Sequence, residues 1–73
     1  MRTWLRELRL SKSLTQAEVA EKLGVNQNTY SRLEMGTYQK DLNISTAAKL
    51  ADIFKISLSK IRNYEEALSN NAG

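Results

Sequence analysis

Thr15-Gln16-Ala17-Glu18-Val19-Ala20-Glu21-Lys22-Leu23-Gly24-Val25-Asn26-Gln27-Asn28-Thr29-Tyr30-Ser31-Arg32-Leu33-Glu34 spells two short helices around one tight turn. The start of the first helix is written twice. Thr15 and Glu18 form an S/T-x-x-E capping box, and Leu14 is spaced to staple against Val19. Val19 and Leu23 fall one turn apart with Ala20 beside them, which leaves Glu18, Glu21 and Lys22 on the wet side. Gly24 is the left-handed residue that ends the helix. Only Val25 then precedes Asn26, a good N-cap, and Val25 to Tyr30 repeats the staple spacing, so a second helix begins almost at once. So short a turn forces a steep crossing, and the small Ala20 lets the two backbones approach at the elbow.

Projected at 3.6 residues per turn, the second helix turns Tyr30, Leu33 and Glu34 inward and Asn28, Ser31 and Arg32 outward. Gln27 leaves from its first turn. Two amides, a hydroxyl and a guanidinium form a set suited to base edges in a major groove: Asn or Gln pairs bidentately with adenine, and Arg with guanine. No other stretch of the chain offers such a set.

These residues resemble the helix-turn-helix of the Cro and repressor regulators of phages and bacteria, also called the xenobiotic-response-element family. The resemblance spans residues 5–61 and rests on Leu5 and Arg9, Leu14-Thr15-Gln16, Val19-Ala20, Leu23-Gly24-Val25, Leu33-Glu34 and Gly36, then Leu50-Ala51 and Ile56-Ser57-Leu58. It implies an all-α fold, a compact lambda-repressor-like bundle of five helices in which helices 2 and 3 form the helix-turn-helix. The third helix, Gln27 to Met35, would lie in the major groove. Gln27, Asn28 and Arg32 match base-reading positions, with Ser31 on the same face. Gln16 matches a phosphate-binding position, which suits the free N–H groups of a helix start. Thr37, Tyr38 and Lys40, with Gln39, fall in a loop that contacts phosphates in the family, and Arg9 with Glu34 matches an internal salt bridge. Three positions depart from the pattern. Tyr30 replaces a branched aliphatic residue, the loop over residues 36–43 is about two residues longer and lacks proline, and Lys55 stands where glycine or asparagine is usual.

Flanking segments read as frame. A first helix from Thr3 to Ser11 has an apolar stripe of Trp4, Leu5 and Leu8, with Arg2, Arg6 and Glu7 facing water. A fourth, over residues 45–54, has Ala47, Leu50, Ala51 and Phe54 on one face. Ser57 caps a fifth that runs to Leu68, with Ile56 and Ile61 at staple spacing. Its Leu58, Ile61, Tyr64 and Leu68 are candidates for a dimer seam, and the alternative is that they close the monomer core. Family resemblance favours a homodimer on a two-fold operator, with half-sites roughly 34 Å apart. Residues 1–68 make one domain and residues 69–73 a frayed tail.

With 73 residues, 41% of them hydrophobic and 26% charged, the chain has enough for one core and too little for two. It has no cysteine or histidine for a disulfide, a structural metal, or the usual bases and nucleophiles. Its three glycines are isolated, which leaves no phosphate-cradling loop. The expectation is a protein that is not an enzyme and takes no cofactor. A charged start and the lack of any apolar run near the roughly 20 residues needed to span a bilayer predict a cytoplasmic protein with no membrane partner. The family resemblance makes it phage- or prokaryote-encoded and nucleoid-associated when bound. The net charge of +3 is modest, so its distribution matters more. Arg2, Arg6, Lys12, Arg32 and Lys40 are placed to border a DNA face, against the plain reading of a solvated surface. Together these features predict a sequence-specific duplex-DNA-binding transcriptional regulator, a repressor. The rival on the same fold is a protein-interaction module or antitoxin-like partner that docks through its fifth helix.

Overall fold

The first helix begins without a side-chain cap, whereas each of the other four begins at a residue whose side chain caps it. A computed structural model describes residues 1–71, and among them five helices follow one another without a strand: α1 (Thr3–Ser11), α2 (Gln16–Leu23), α3 (Gln27–Met35), α4 (Ile44–Phe54) and α5 (Leu58–Asn71). The Thr15 hydroxyl accepts the Glu18 N–H, and the Glu18 carboxylate accepts the Thr15 N–H, which completes the capping box. Asn26 and Asn43 each accept an N–H three positions further on, at 2.8 Å from Thr29 and Thr46. Ser57 does the same for Lys60 at 3.1 Å. Because Asn43 is the cap, α4 starts at Ile44, one residue before its expected start.

Gly24 and Gly36 end α2 and α3 at φ +82° and +81°, the left-handed conformation that spares a residue without Cβ. Lys55 ends α4 in the same conformation at φ 57°, where a side chain costs about 1–2 kcal/mol. The departure at Lys55 therefore changes the local strain and leaves the boundary in place. α5 continues to Asn71, past its expected end at Leu68 and into the segment expected to fray; residues 72–73 of that segment lie outside the described residues.

Leu5, Val19, Ala20, Leu23, Tyr30, Leu33, Ala47, Leu50, Phe54 and Ile61 form one core fed by all five helices. Each large aliphatic or aromatic member contributes about 1.5–3 kcal/mol by leaving water. Ala20 sits at the elbow, where its carbonyl accepts from Gly24 at 2.9 Å and Val25 at 3.0 Å. Ala20 is buried, so a larger side chain there would have to displace its neighbours. Ile61 is fully buried, so it closes the monomer core and is withdrawn from the seam proposed for α5. Tyr64 is also turned inward: its ring stacks on Trp4 with centroids 5.2 Å apart and planes 13° from parallel.

Candidate nucleic-acid interface

The third helix, α3, is gripped from behind. On its inner side, Tyr30, Leu33 and Glu34 are buried, and Glu34 joins three segments. Its Oε2 accepts Arg9 Nε from α1 at 2.6 Å, and its Oε1 accepts Gln16 Nε2 from α2 at 3.1 Å. Arg9 also donates to the Leu14 carbonyl at 3.0 Å, which ties down the turn between α1 and α2. Burial pushes the Glu34 carboxyl pKa up, but the charged and hydrogen-bonding groups around it, Arg9 foremost, outweigh that and hold it below its ordinary value. Arg9 is raised in turn, chiefly by its bond to Glu34. Burial drives the Tyr30 hydroxyl far upward, with the adjacent carboxylate adding to the rise, and that hydroxyl forms no well-shaped hydrogen bond among the described residues. The aliphatic residue usual at position 30 would carry no such polar atom.

With its inner face locked, α3 offers the opposite one. Gln27, Asn28 and Arg32 are exposed, and Ser31 is half-buried at the margin of the same strip. Met35 is exposed at the C-terminal end of this strip. Methionine has no strong hydrogen-bonding group to mark it in the sequence as a base reader; on this face it offers an apolar contact of the kind that fits a thymine methyl.

The neighbouring backbone presents donors. At the start of α2, the N–H groups before Glu18 have no intrahelical acceptor. Gln16 commits one amide hydrogen to Glu34 and is half-buried, so it is held in place rather than free. The Glu18 carboxyl is held below its ordinary value, first by the Thr15 backbone N–H and then by the Thr15 hydroxyl. Past α3, Thr37, Tyr38 and Lys40 are exposed on the α3–α4 loop. Gln39 is not: its Nε2 donates to Thr46 Oγ1 and its Oε1 accepts the Asn43 N–H, both at 3.1 Å, so its side chain braces the start of α4.

Comparison with known proteins agrees with this architecture. The family described as helix-turn-helix matches residues 5–61. The chain belongs to the helix-turn-helix family. Uncharacterised HTH-type transcriptional regulators of Archaeoglobus fulgidus and Methanocaldococcus jannaschii are each 35% identical to this helix-turn-helix protein over 66 residues. The match covers 90% of this chain and 91% and 97% of theirs. The cryptic phage CTXphi transcriptional repressor RstR of Vibrio cholerae is 37% identical over 57 residues, which are 78% of this chain and 50% of that one. No solved structure matches the chain significantly.

One expected border residue of this helix-turn-helix surface is elsewhere. Arg2, placed by its sequence position on the wet side of α1 and at the DNA border, is 1% exposed and bonded on every side. No motif marked it, because its partners lie more than 30 positions away in the chain. Arg6, Lys12, Arg32 and Lys40 are exposed as expected. No helix among the described residues is long and apolar enough to cross a membrane.

Proposed function

We propose that this DNA-binding transcriptional regulator of the helix-turn-helix family is a repressor that reads a two-fold duplex operator as a homodimer, with α3 in the major groove. The observation that carries the reading is the division of α3 into a locked inner face and a polar outer one. Arg9, Gln16 and Glu34 hold the helix while Asn28 and Arg32, with Gln27 and Ser31 beside them, stay free for base edges. Gln16, Thr37, Tyr38 and Lys40 take phosphates and set orientation, and the α3 side chains choose sequence. Repression follows from occupying a promoter.

The dimer seam is redrawn from the exposed residues. Leu58 and Leu68 line an open groove of about 970 Å³ together with Leu42 and Ile44. Ile44 is 79% exposed and Leu58 45%. Charges of both signs, Asp41 and the Arg62–Glu66 pair at 3.1 Å, line the same groove. The same groove favours a second reading, a protein-interaction module or antitoxin-like partner docked there.

Selection of duplexes from a random pool at about 0.15 M salt tests the proposal, because loose charge contacts are weakened there. A two-fold motif is expected. A single half-site removes the dimer, and no enrichment leaves the protein-docking reading. Arg32→Ala should weaken binding to the selected site by about 1–3 kcal/mol. Leu58→Glu should leave the protein monomeric in sedimentation while it still melts cooperatively.

A further inference from the structure

The α3–α4 loop holds most of the candidate phosphate contacts, yet it lacks the proline that would stiffen it. A buried arginine does that work. Arg2 Nη1 donates to the Leu33 carbonyl at 2.8 Å and to that of Tyr38 at 3.4 Å. Its Nη2 donates to the carbonyls of Gln39 and Lys40, and its Nε to both oxygens of Glu65 on α5 at 3.1 Å. Five donors in a rigid fork can serve so many acceptors, whereas an ammonium presents three from one point. The cation also lies against the last turn of α3, where the helix dipole favours it.

This capture decides where the loop points its donors. Every peptide bond among the described residues is trans, and across a planar trans peptide the carbonyl and the N–H point in opposite directions. With the carbonyls of Tyr38, Gln39 and Lys40 turned to Arg2, the N–H groups of Gln39, Lys40 and Asp41 are turned away from it. Among the described residues none of the three donates a hydrogen bond within the chain. Gln39 has φ 55°, the left-handed conformation through which successive N–H groups converge on an anion.

We propose that Arg2 is a positioning residue for DNA binding: it gathers the inner carbonyls of the loop so that the amides of Gln39, Lys40 and Asp41 stand ready for a backbone phosphate, with Glu65 as its counter-charge. This role presupposes that the protein grips duplex DNA as proposed above. It places one determinant of phosphate affinity in the interior, on the far side of the loop from the DNA.

The test is a titration of the wild-type protein, Arg2→Lys and Glu65→Gln with the selected duplex across roughly 0.05–0.2 M salt. Phe54→Leu, a core change away from the loop, is the control for lost stability, and each variant is checked by thermal melting. Arg2→Lys keeps the charge and loses the fork. It should bind roughly tenfold more weakly at about 0.15 M salt, the loss of one charge-assisted contact. The slope of log K against log salt should shrink by about 0.9 for each phosphate released. The selected sequence should not change, since α3 is intact. Glu65→Gln should shift the slope in the same direction, and it carries the test if Arg2→Lys does not fold. In the wild type, the Gln39, Lys40 and Asp41 amide resonances should move on adding duplex, and in Arg2→Lys they should not. Wild-type slopes in both folded variants, or the same slope change in Phe54→Leu, overturn the role of Arg2 alone. A wild-type protein that selects no duplex overturns the DNA-binding reading and this role together.

Discussion

Two arginine–glutamate pairs hang from α1, one near each end, and they brace different parts of the molecule. Arg9 reaches Glu34 at 2.6 Å and fixes the elbow of α1, α2 and α3. Arg2 reaches Glu65 at 3.1 Å and fixes the α3–α4 loop and α5. Glu34 is almost wholly buried, whereas Glu65 keeps 19% of its side chain in contact with water. The same chemistry thus serves two separable tasks. One pair sets how the reading helix is held, and the other shapes the backbone beside it. An arginine with nearby carboxylate and carbonyl acceptors can serve the interior of a DNA-binding protein as readily as its surface.

The largest expected effect separates the pairs by burial. Glu34→Ala strands the Arg9 guanidinium and should lower unfolding free energy by about 3–5 kcal/mol in urea denaturation. Glu65→Ala leaves the buried Arg2 with its four carbonyl acceptors and a site that water can partly refill, and should cost about 1.5–3 kcal/mol. If Glu65→Ala proves the costlier, the second pair is the chief brace and the contrast is reversed.

Acid separates them next. The Glu34 carboxyl sits below its ordinary 4.5 in the folded protein, so its contribution to stability is complete above that unfolded-state value and is lost as pH falls through the lower folded one. The chain has no histidine, so the melting temperature should hold from about pH 7 to 5 and fall as the medium is acidified below about 4.5. Glu34→Gln should flatten that acid limb; an unchanged limb would assign it to other carboxylates. Smallest is a change outside both pairs. Lys55→Gly relieves a left-handed side chain at the end of α4 and should add about 1 kcal/mol, read as a higher melting temperature with unaltered DNA affinity.

The elbow was legible in the sequence because its signals are local. Thr15 and Glu18 are three positions apart, Gly24 needs no partner to permit a positive φ, and Asn26 caps the N–H of Thr29. The outward set on α3 follows from helical periodicity alone, and Arg9 with Glu34 was named through family resemblance. What escaped the reading depends on packing. Arg2 and Glu65 lie 63 positions apart, and nothing in either neighbourhood encodes that approach. Periodicity on α1 gave Arg2 to solvent, when the chain folds α5 and the loop over it. Ile61 and Tyr64 were grouped with Leu58 and Leu68 as one apolar stripe, but the stripe is divided: Ile61 and Tyr64 meet the monomer, and Leu58 faces out. The loop's backbone conformation, with Gln39 left-handed, was likewise beyond sequence because its carbonyls are held by Arg2, more than 30 positions away.

Trp4 is the only tryptophan in the chain, and its indole N–H donates to Glu65 at 2.8 Å while its ring lies on Tyr64. Both contacts belong to α5, and neither belongs to the reading helix. Its emission therefore serves as a native gauge of whether the last helix is seated, without any attached dye. Rapid-mixing unfolding followed at this one fluorophore, beside far-ultraviolet dichroism of all five helices, would give the order in which α5 and the elbow of α2 and α3 come apart.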